Sequence, residues 1–361
     1  MPRERDIGAA TPGESISLTI SSLESFIARL PKVELHLHLE GSLRPETLRE
    51  LAEGKRLLRR EVTKWVSQRH AERFHYGDFK GFLKSFGVVT LLIKTPEDYA
   101  LITTRLSEWL ASQNVRYAEV ILSAGVLLWK KQSVQEVFDA VERAAREARA
   151  RTGVRLQWIF DAVRQFGVEH VREVLRWAIT FRPRGVVAFG IGGDEAGGPA
   201  ELFVDIFREA REAGLRLTAH AGEAVGPESI RKAVELLGAE RIGHGLTAIG
   251  DPDVMALLRD RRIPLEVCPT SNLATGLVAR LEDHPLPRFL DAGLVVTLNS
   301  DDPAMFGTSL QQEFERSARA FSLSPEQIVQ LCENAILAAF LSEADKAPLL
   351  EELRGVAGLP R

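Results

Sequence analysis

Eight short apolar runs, each followed by room for a helix, constrain this chain more than anything else in it. They fall at residues 33–38, 117–122, 154–160, 186–191, 215–220, 241–244, 265–268 and 294–299. From the second run onward the spacing is that of βα units. Eight such units predict an α/β fold, a (β/α)8 TIM barrel. A barrel of this kind carries its active site at the C-terminal ends of the strands. The chain has 361 residues, enough for one barrel or two ordinary domains of roughly 100–200 residues each.

The intervening segments read as helices. Residues 134–151 carry an apolar stripe at Val137, Val141 and Ala145 with charge on the other faces. Ser324-Pro-Glu-Gln327 opens the last long helix: serine caps, proline takes the first turn and glutamine closes the box. Ile328, Leu331, Cys332, Ala335 and Ile336 then form one stripe, which places Cys332 in the core. One connection is long. A helical insertion over 44–114 follows strand 1, with a helix predicted from Asp78 to Ile93 bearing Phe79, Phe82 and Phe86. An insertion there sits over the site and reads as a lid or substrate wall, although a helical hairpin on the barrel rim would give the same pattern. Residues 1–15, with charges at Arg3, Glu4, Arg5 and Asp6, read as a disordered tail, and 16–350 as one catalytic domain.

The formal charge of −4 supplies no global positive field for nucleic acid or an anionic membrane. The arginines at 143, 146, 149, 151 and 155 are diluted by Glu142 and Glu147, as on a solvated helix face. The longest apolar run, Ala335 to Leu341, falls far short of the roughly 18 residues of a membrane span. Cys268 and Cys332 cannot make a disulfide framework or a thiolate zinc site. The first residues hold no apolar core like that of a signal peptide. The expectation is a reducing, cytoplasmic compartment.

The histidines carry the chemistry. His36 and His38 stand two apart at the end of strand 1, so both rings point to one side. Alone, the pair could be two polar residues at a strand edge. His220 ends strand 5, His244 ends strand 6, and Asp301 and Asp302 follow strand 8. Four histidines and two aspartates thus gather at the ends of four strands. Three neutral imidazoles and one carboxylate form a borderline N/O set with a position left for water, which suits zinc. The expected ligands are His36, His38, His220 and Asp301, with one ion per chain. Successive residues diverge, so Asp302 is left free for substrate.

Glu223 lies three positions past His220, in a loop at the barrel mouth. Buried there, its pKa would rise and it could serve as a general acid. His244 could take the proton of the attacking water or stabilise the hydroxide. Gly190-Ile-Gly-Gly-Asp-Glu195 closes strand 4, and its glycines let a flat ligand approach the backbone.

Lys32-Val-Glu-Leu-His-Leu-His-Leu-Glu-Gly-Ser42, Gly192-Gly-Asp-Glu195, His220-Ala-Gly-Glu223, Arg241-Ile-Gly-His-Gly245, Cys268-Pro-Thr-Ser-Asn272 and Asn299-Ser-Asp-Asp-Pro303 resemble the adenosine deaminase family. They stand in the family's order from about residue 30 to 340. The resemblance implies a one-zinc barrel of the amidohydrolase superfamily. It also implies that His36, His38, His220 and Asp301 bind zinc, Glu223 protonates purine N1, and His244 assists the hydroxide. Gly193 and Asp302 would bond the ring nitrogens. The reaction it implies is hydrolytic deamination of a 6-aminopurine nucleoside to the 6-oxo product and ammonia.

One residue departs from the pattern. Adenosine-specific members usually carry Asp two places past the second histidine, where it holds a sugar hydroxyl. Here Glu40 stands there. The variant also occurs in adenine deaminases and in aminodeoxyfutalosine deaminases of menaquinone biosynthesis, so these are the alternative substrates. The Cys-Pro-Thr-Ser-Asn segment is closer to the nucleoside and aminodeoxyfutalosine enzymes. Two-metal relatives bridged by a carbamylated lysine are disfavoured, because strand 4 ends without one. A Schiff-base aldolase lacks its strand-end lysine. A non-catalytic zinc-binding barrel would have no need of Glu223, His244 and Asp302.

Overall fold

The computed structural model describes residues 20–54, 74 and 76–358. The proposed tail at 1–15 and part of the insertion lie outside the described residues.

All eight apolar runs form strands: β1 (Lys32–His38), β2 (Val115–Leu122), β3 (Arg155–Val163), β4 (Val186–Gly192), β5 (Arg216–Ala221), β6 (Arg241–His244), β7 (Leu265–Val267) and β8 (Val296–Leu298). They pair in sequence order, every neighbour parallel. A single bridge between Leu37 and Asp301 joins the last segment back to β1. Asn299 tightens that seam, its side-chain oxygen accepting from the backbone N–H groups of Leu35 and His36. Strands buried on both faces read as near-continuous apolar runs, and Val186–Gly192 has only one residue that is not fully buried. The sequence pattern and the (β/α)8 barrel agree.

Most differences lie at strand ends. β3 runs to Val163 rather than Phe160 because Asp161, Ala162 and Val163 pair with Gly190, Ile191 and Gly192. The extension carries a carboxylate to the barrel mouth. β7 and β8 are shorter than their apolar runs.

The helices start and stop where their caps dictate. Among the described residues the first six in chain order are α1 (Ile20–Arg29), α2 (Pro45–Gly54), α3 (Phe79–Leu92), α4 (Pro96–Ser112), α5 (Ala124–Trp129) and α6 (Val134–Thr152). Asp78 caps α3 by accepting from the Gly81 N–H at 2.7 Å. Ser133 caps α6, which ends on Gly153 in the left-handed region. The Ser324–Gln327 box forms at the head of helix Pro325–Ala338, with Cys332 buried. No helix of the described residues is long and apolar enough to cross a membrane.

Below the mouth the interior is charged. Buried Arg241 pairs with Glu119 at 2.7 Å and with Glu266, and donates to the Ala338 carbonyl. Removing one partner of such a buried pair costs about 3–5 kcal/mol, because the other is left uncompensated.

Candidate active site

The ends of β1, β5, β6 and the turn after β8 converge on one cavity. Its wall includes His38, His220, Glu223, His244, Asp301 and Asp302. His36 lies buried just behind them. The His36 ring centroid is 4.5 Å from that of His220 and 5.0 Å from that of His244. His36, His38 and His220 each offer a nitrogen within 4.8 Å of the others, and His36, His244 and Asp301 form a second such group. Asp301 Oδ1 is 3.6 Å from His36 Nε2 and 3.4 Å from His38 Nε2.

These residues fit a metal ion. His36 Nε2 and His38 Nδ1 are buried without a hydrogen-bond partner among the described residues. Burial pushes the imidazoles toward the neutral form that binds metal: His38 falls to about 4, His244 to about 3, and His220 well below the usual range. His36 goes the other way. Burial opposes its charge, but the hydrogen bond and charge of Glu266 outweigh burial and raise it. That carboxylate sits 2.8 Å from Nδ1, which leaves Nε2 to face the cluster. Burial works against the Asp301 carboxylate, but the surrounding histidines outweigh it and hold Asp301 below its usual range.

Local backbone places these groups. His244 and Asp301 both adopt left-handed φ, at 63° and 61°, a conformation that L-residues hold only where surrounding structure enforces it. Gly41, in the motif after β1, makes room for Asp302. A Cβ there would lie 1.6 Å from Asp302 Oδ1. Gly193 combines φ of 93° with a close approach, since its Cβ would meet Gln165 Oε1 at 2.3 Å.

The carboxyl groups are tuned apart. Burial, reinforced by Asp301, raises Glu223 well above the usual range. The same two causes raise Asp302. Glu223 Oε1 is 3.5 Å from His244 Nε2. Its loop is pinned by buried Glu195, whose carboxylate accepts from the N–H groups of Gly222, Glu223 and Ala224 and from the Ser229 hydroxyl. Asn272 Nδ2 lies 3.4 Å from His244 Nδ1.

Glu40 stands apart from the expected wall. It is fully buried, and its carboxylate accepts from the backbone N–H and hydroxyl of Ser123, at 3.2 and 3.3 Å. Ser123, not Glu40, lines the cavity. Burial raises Glu40 to about 7. Phe79, Phe82 and Phe86 of α3 do line the cavity, and the Phe86 ring meets His38 edge-on at 6.1 Å.

The adenosine deaminase family model matches residues 31–356. The chain belongs to the adenosine deaminase family. It is 43% identical to an aminodeoxyfutalosine deaminase of Streptomyces avermitilis over 336 residues, 92% of each chain. An adenine deaminase of Mesorhizobium japonicum is 37% identical, over 90% of this chain and 99% of that one. Among solved structures, an adenine deaminase from Arthrobacter aurescens superposes with a TM-score of 0.85 and 32% identity, covering 90% and 98% of the two chains. An amidohydrolase from Burkholderia ambifaria with bound zinc gives 0.84 and 26%, covering 95% and 96%. This member of the family is therefore a hydrolytic deaminase with a candidate His/Asp metal site.

Several residues around the site were not singled out in the sequence. Glu266, Arg241 and Glu195 act behind the wall, and Asp161 lines it. Glu195 and Arg241 stood inside the quoted motifs, and Asp161 is an acid one residue past a predicted strand end; Glu266 carried no such signal.

Proposed function

We propose that this member of the family deaminates the 6-amino group of a purine nucleoside, with one zinc ion held by His36, His38, His220 and Asp301. The observation that carries the reading is one cavity wall on which His38, His220 and His244 stand beside Asp301, Glu223 and Asp302, with burial pushing the Glu223 and Asp302 carboxyls up. Zinc, when bound, supplies a Lewis acid that activates water near neutral pH. The protein groups manage the protons. Glu223 gives its proton to ring N1, which makes C6 electrophilic. Neutral His244 accepts a proton from the attacking water. The C6–O bond forms, the C6–N bond breaks, and the amine leaves as ammonia with one water proton. The other water proton restores Glu223. Protonated Asp302 donates to a ring nitrogen, and Gly193 presents a backbone N–H to another.

The wall favours a nucleoside over a nucleotide. It carries no lysine or arginine among the described residues, so it offers no side-chain cation to pair with a phosphate. Among nucleosides, aminodeoxyfutalosine ranks first for testing because the 43% relative bears that name. A panel of adenosine, adenine and aminodeoxyfutalosine, followed by ammonia release, tests the reading. Turnover of adenine alone would overturn it. Zinc binding without ammonia release from any of the three would make the barrel a binding module.

A further inference from the structure

A second cavity, of about 570 Å³, opens at the opposite end of the barrel, where β5, β6 and β7 begin. Arg211, Arg216, Arg241, Arg261, Arg262 and Lys346 line it, in a chain whose formal charge is −4. Helical segments end on this side, and their last carbonyls draw cations. Three of the side chains serve that purpose. Arg211 Nη2 donates to the Gly238 carbonyl at 2.8 Å, Arg241 Nη1 to Ala338 at 3.0 Å and Lys346 Nζ to Leu337 at 2.8 Å. Carboxylates answer three of the charges. Arg241 has Glu119 and Glu266, Lys346 has Glu343, and Arg216 has Glu240, 2.7 Å from its Nε. Arg261 and Arg262 are left over. Both are exposed, and neither side chain makes a hydrogen bond or ion pair among the described residues. Arg262 also stands in left-handed backbone, with φ of 51°, just past helix Pro252–Asp260. Glycine is the usual residue there, because a Cβ strains that conformation. An arginine without a partner thus holds a strained position on the cavity wall.

We propose that this cavity binds a small anion carrying two or more phosphate or carboxylate groups. Glu235 is the remaining carboxylate of the lining, and it faces three guanidinium groups, those of Arg211, Arg261 and Arg262, that no acid answers among the described residues. Guanidinium forks match phosphate and carboxylate oxygens two at a time, and a concave wall of one sign concentrates its field on a bound ion. Several separate forks suit several anionic groups better than one. The floor is stiff: the Cζ atoms of Arg241 and Arg216 lie 3.7 and 4.5 Å from the centroid of the Phe340 ring, so little order has to be gained on binding. The volume is that of a metabolite pocket, which runs from about 300 to 1,000 Å³. The cavity lies at the far end of the strands from Glu223 and Asp302, so the proposal goes beyond the deaminase reading and does not depend on its substrate.

The test is isothermal titration of the zinc-loaded full chain with propane-1,3-diol bisphosphate, tricarballylate and sulfate, at about 0.15 M salt. The bisphosphate or the tricarboxylate should bind with Kd below about 1 mM, one per chain, and at least about tenfold tighter than sulfate. The tighter of the two identifies the recognised group as phosphate or carboxylate. Arg262→Gly should weaken that anion at least about tenfold, while Tm holds or rises because glycine relaxes the left-handed residue. Arg261→Gln leaves the backbone unchanged and should weaken the anion to a similar degree. No binding of either larger anion below about 1 mM would overturn the site. So would sulfate binding as tightly as they do, or an affinity unchanged in either variant, the result expected if the anion sits on the metal instead.

Discussion

The Nδ1 of His36 lies 2.8 Å from Oε2 of Glu266, while the other oxygen of that carboxylate accepts from Arg241. One buried acid thereby joins the proposed metal set to the charged layer beneath it. Glu266→Gln keeps the shape and removes the charge. His36 loses basicity, and Arg241 is left with Glu119 alone. Zinc affinity should fall about 10–100-fold, the usual cost of losing such a partner. A competition titration against a chelator measures it. Unchanged affinity would show that His36 does not hold the metal.

The metal set itself makes a second prediction. Elemental analysis of active protein should find one zinc per chain, and chelation should abolish ammonia release. His220→Ala removes one of the three imidazoles grouped within 4.8 Å and should lose metal and activity together. Full activity in protein free of transition metals would defeat the proposed chemistry.

Glu223 should be dispensable for metal binding and required for turnover. Glu223→Gln keeps a hydrogen-bonding group and loses the proton, so the rate should fall at least about 10²-fold with zinc content intact. The pH profile carries the same assignment. Burial raises the Glu223 pKa, so the group binds its proton at pH values where a solvent-exposed Glu would have lost it. The working form is the protonated one, and kcat/KM should drop as pH rises through that raised pKa. A Glu223→Gln profile with the same alkaline limb would assign the limb elsewhere.

The barrel and the convergence of its polar strand ends were legible because each is written locally. An apolar run followed by His or Asp marks both a strand and its mouth, as at His220 and His244. Glu223 was legible through its spacing from His220. What supports these residues was not. Glu266 sits in the middle of β7 and Arg241 opens β6, where a charge has no evident partner until the barrel closes and pairs them. Glu195 reaches from the loop after β4 to three N–H groups after β5, a contact that no local pattern encodes. The Asp-to-Glu change at position 40 was visible, but not that its carboxylate is spent on Ser123.

That contact changes how Glu40 should act. Glu40 accepts from the N–H and hydroxyl of Ser123, and Ser123 lines the cavity, so Glu40 should act on substrate choice through Ser123. In Glu40→Asp the carboxylate is one methylene shorter and draws back from these donors. The Ser123 hydroxyl is then free to turn toward a sugar hydroxyl or a 5′ group. Hydrogen-bond changes of this kind alter discrimination far more than a methylene in an apolar pocket, which is worth about 10–200-fold. Glu40→Asp should therefore change the kcat/KM ratio of aminodeoxyfutalosine to adenosine by at least about tenfold. Single Phe-to-Leu changes at 79, 82 or 86, which trim apolar wall, should change it less. Ser123→Ala should reproduce part of the effect, because it removes the hydroxyl that Glu40 restrains. Measuring that ratio in wild type, Glu40→Asp, Ser123→Ala and the double variant decides the matter. If the ratio holds in Glu40→Asp, the carboxylate only supports the fold. A shift in Glu40→Asp that is the same with and without the Ser123 hydroxyl would mean that Glu40 acts on the substrate by another route.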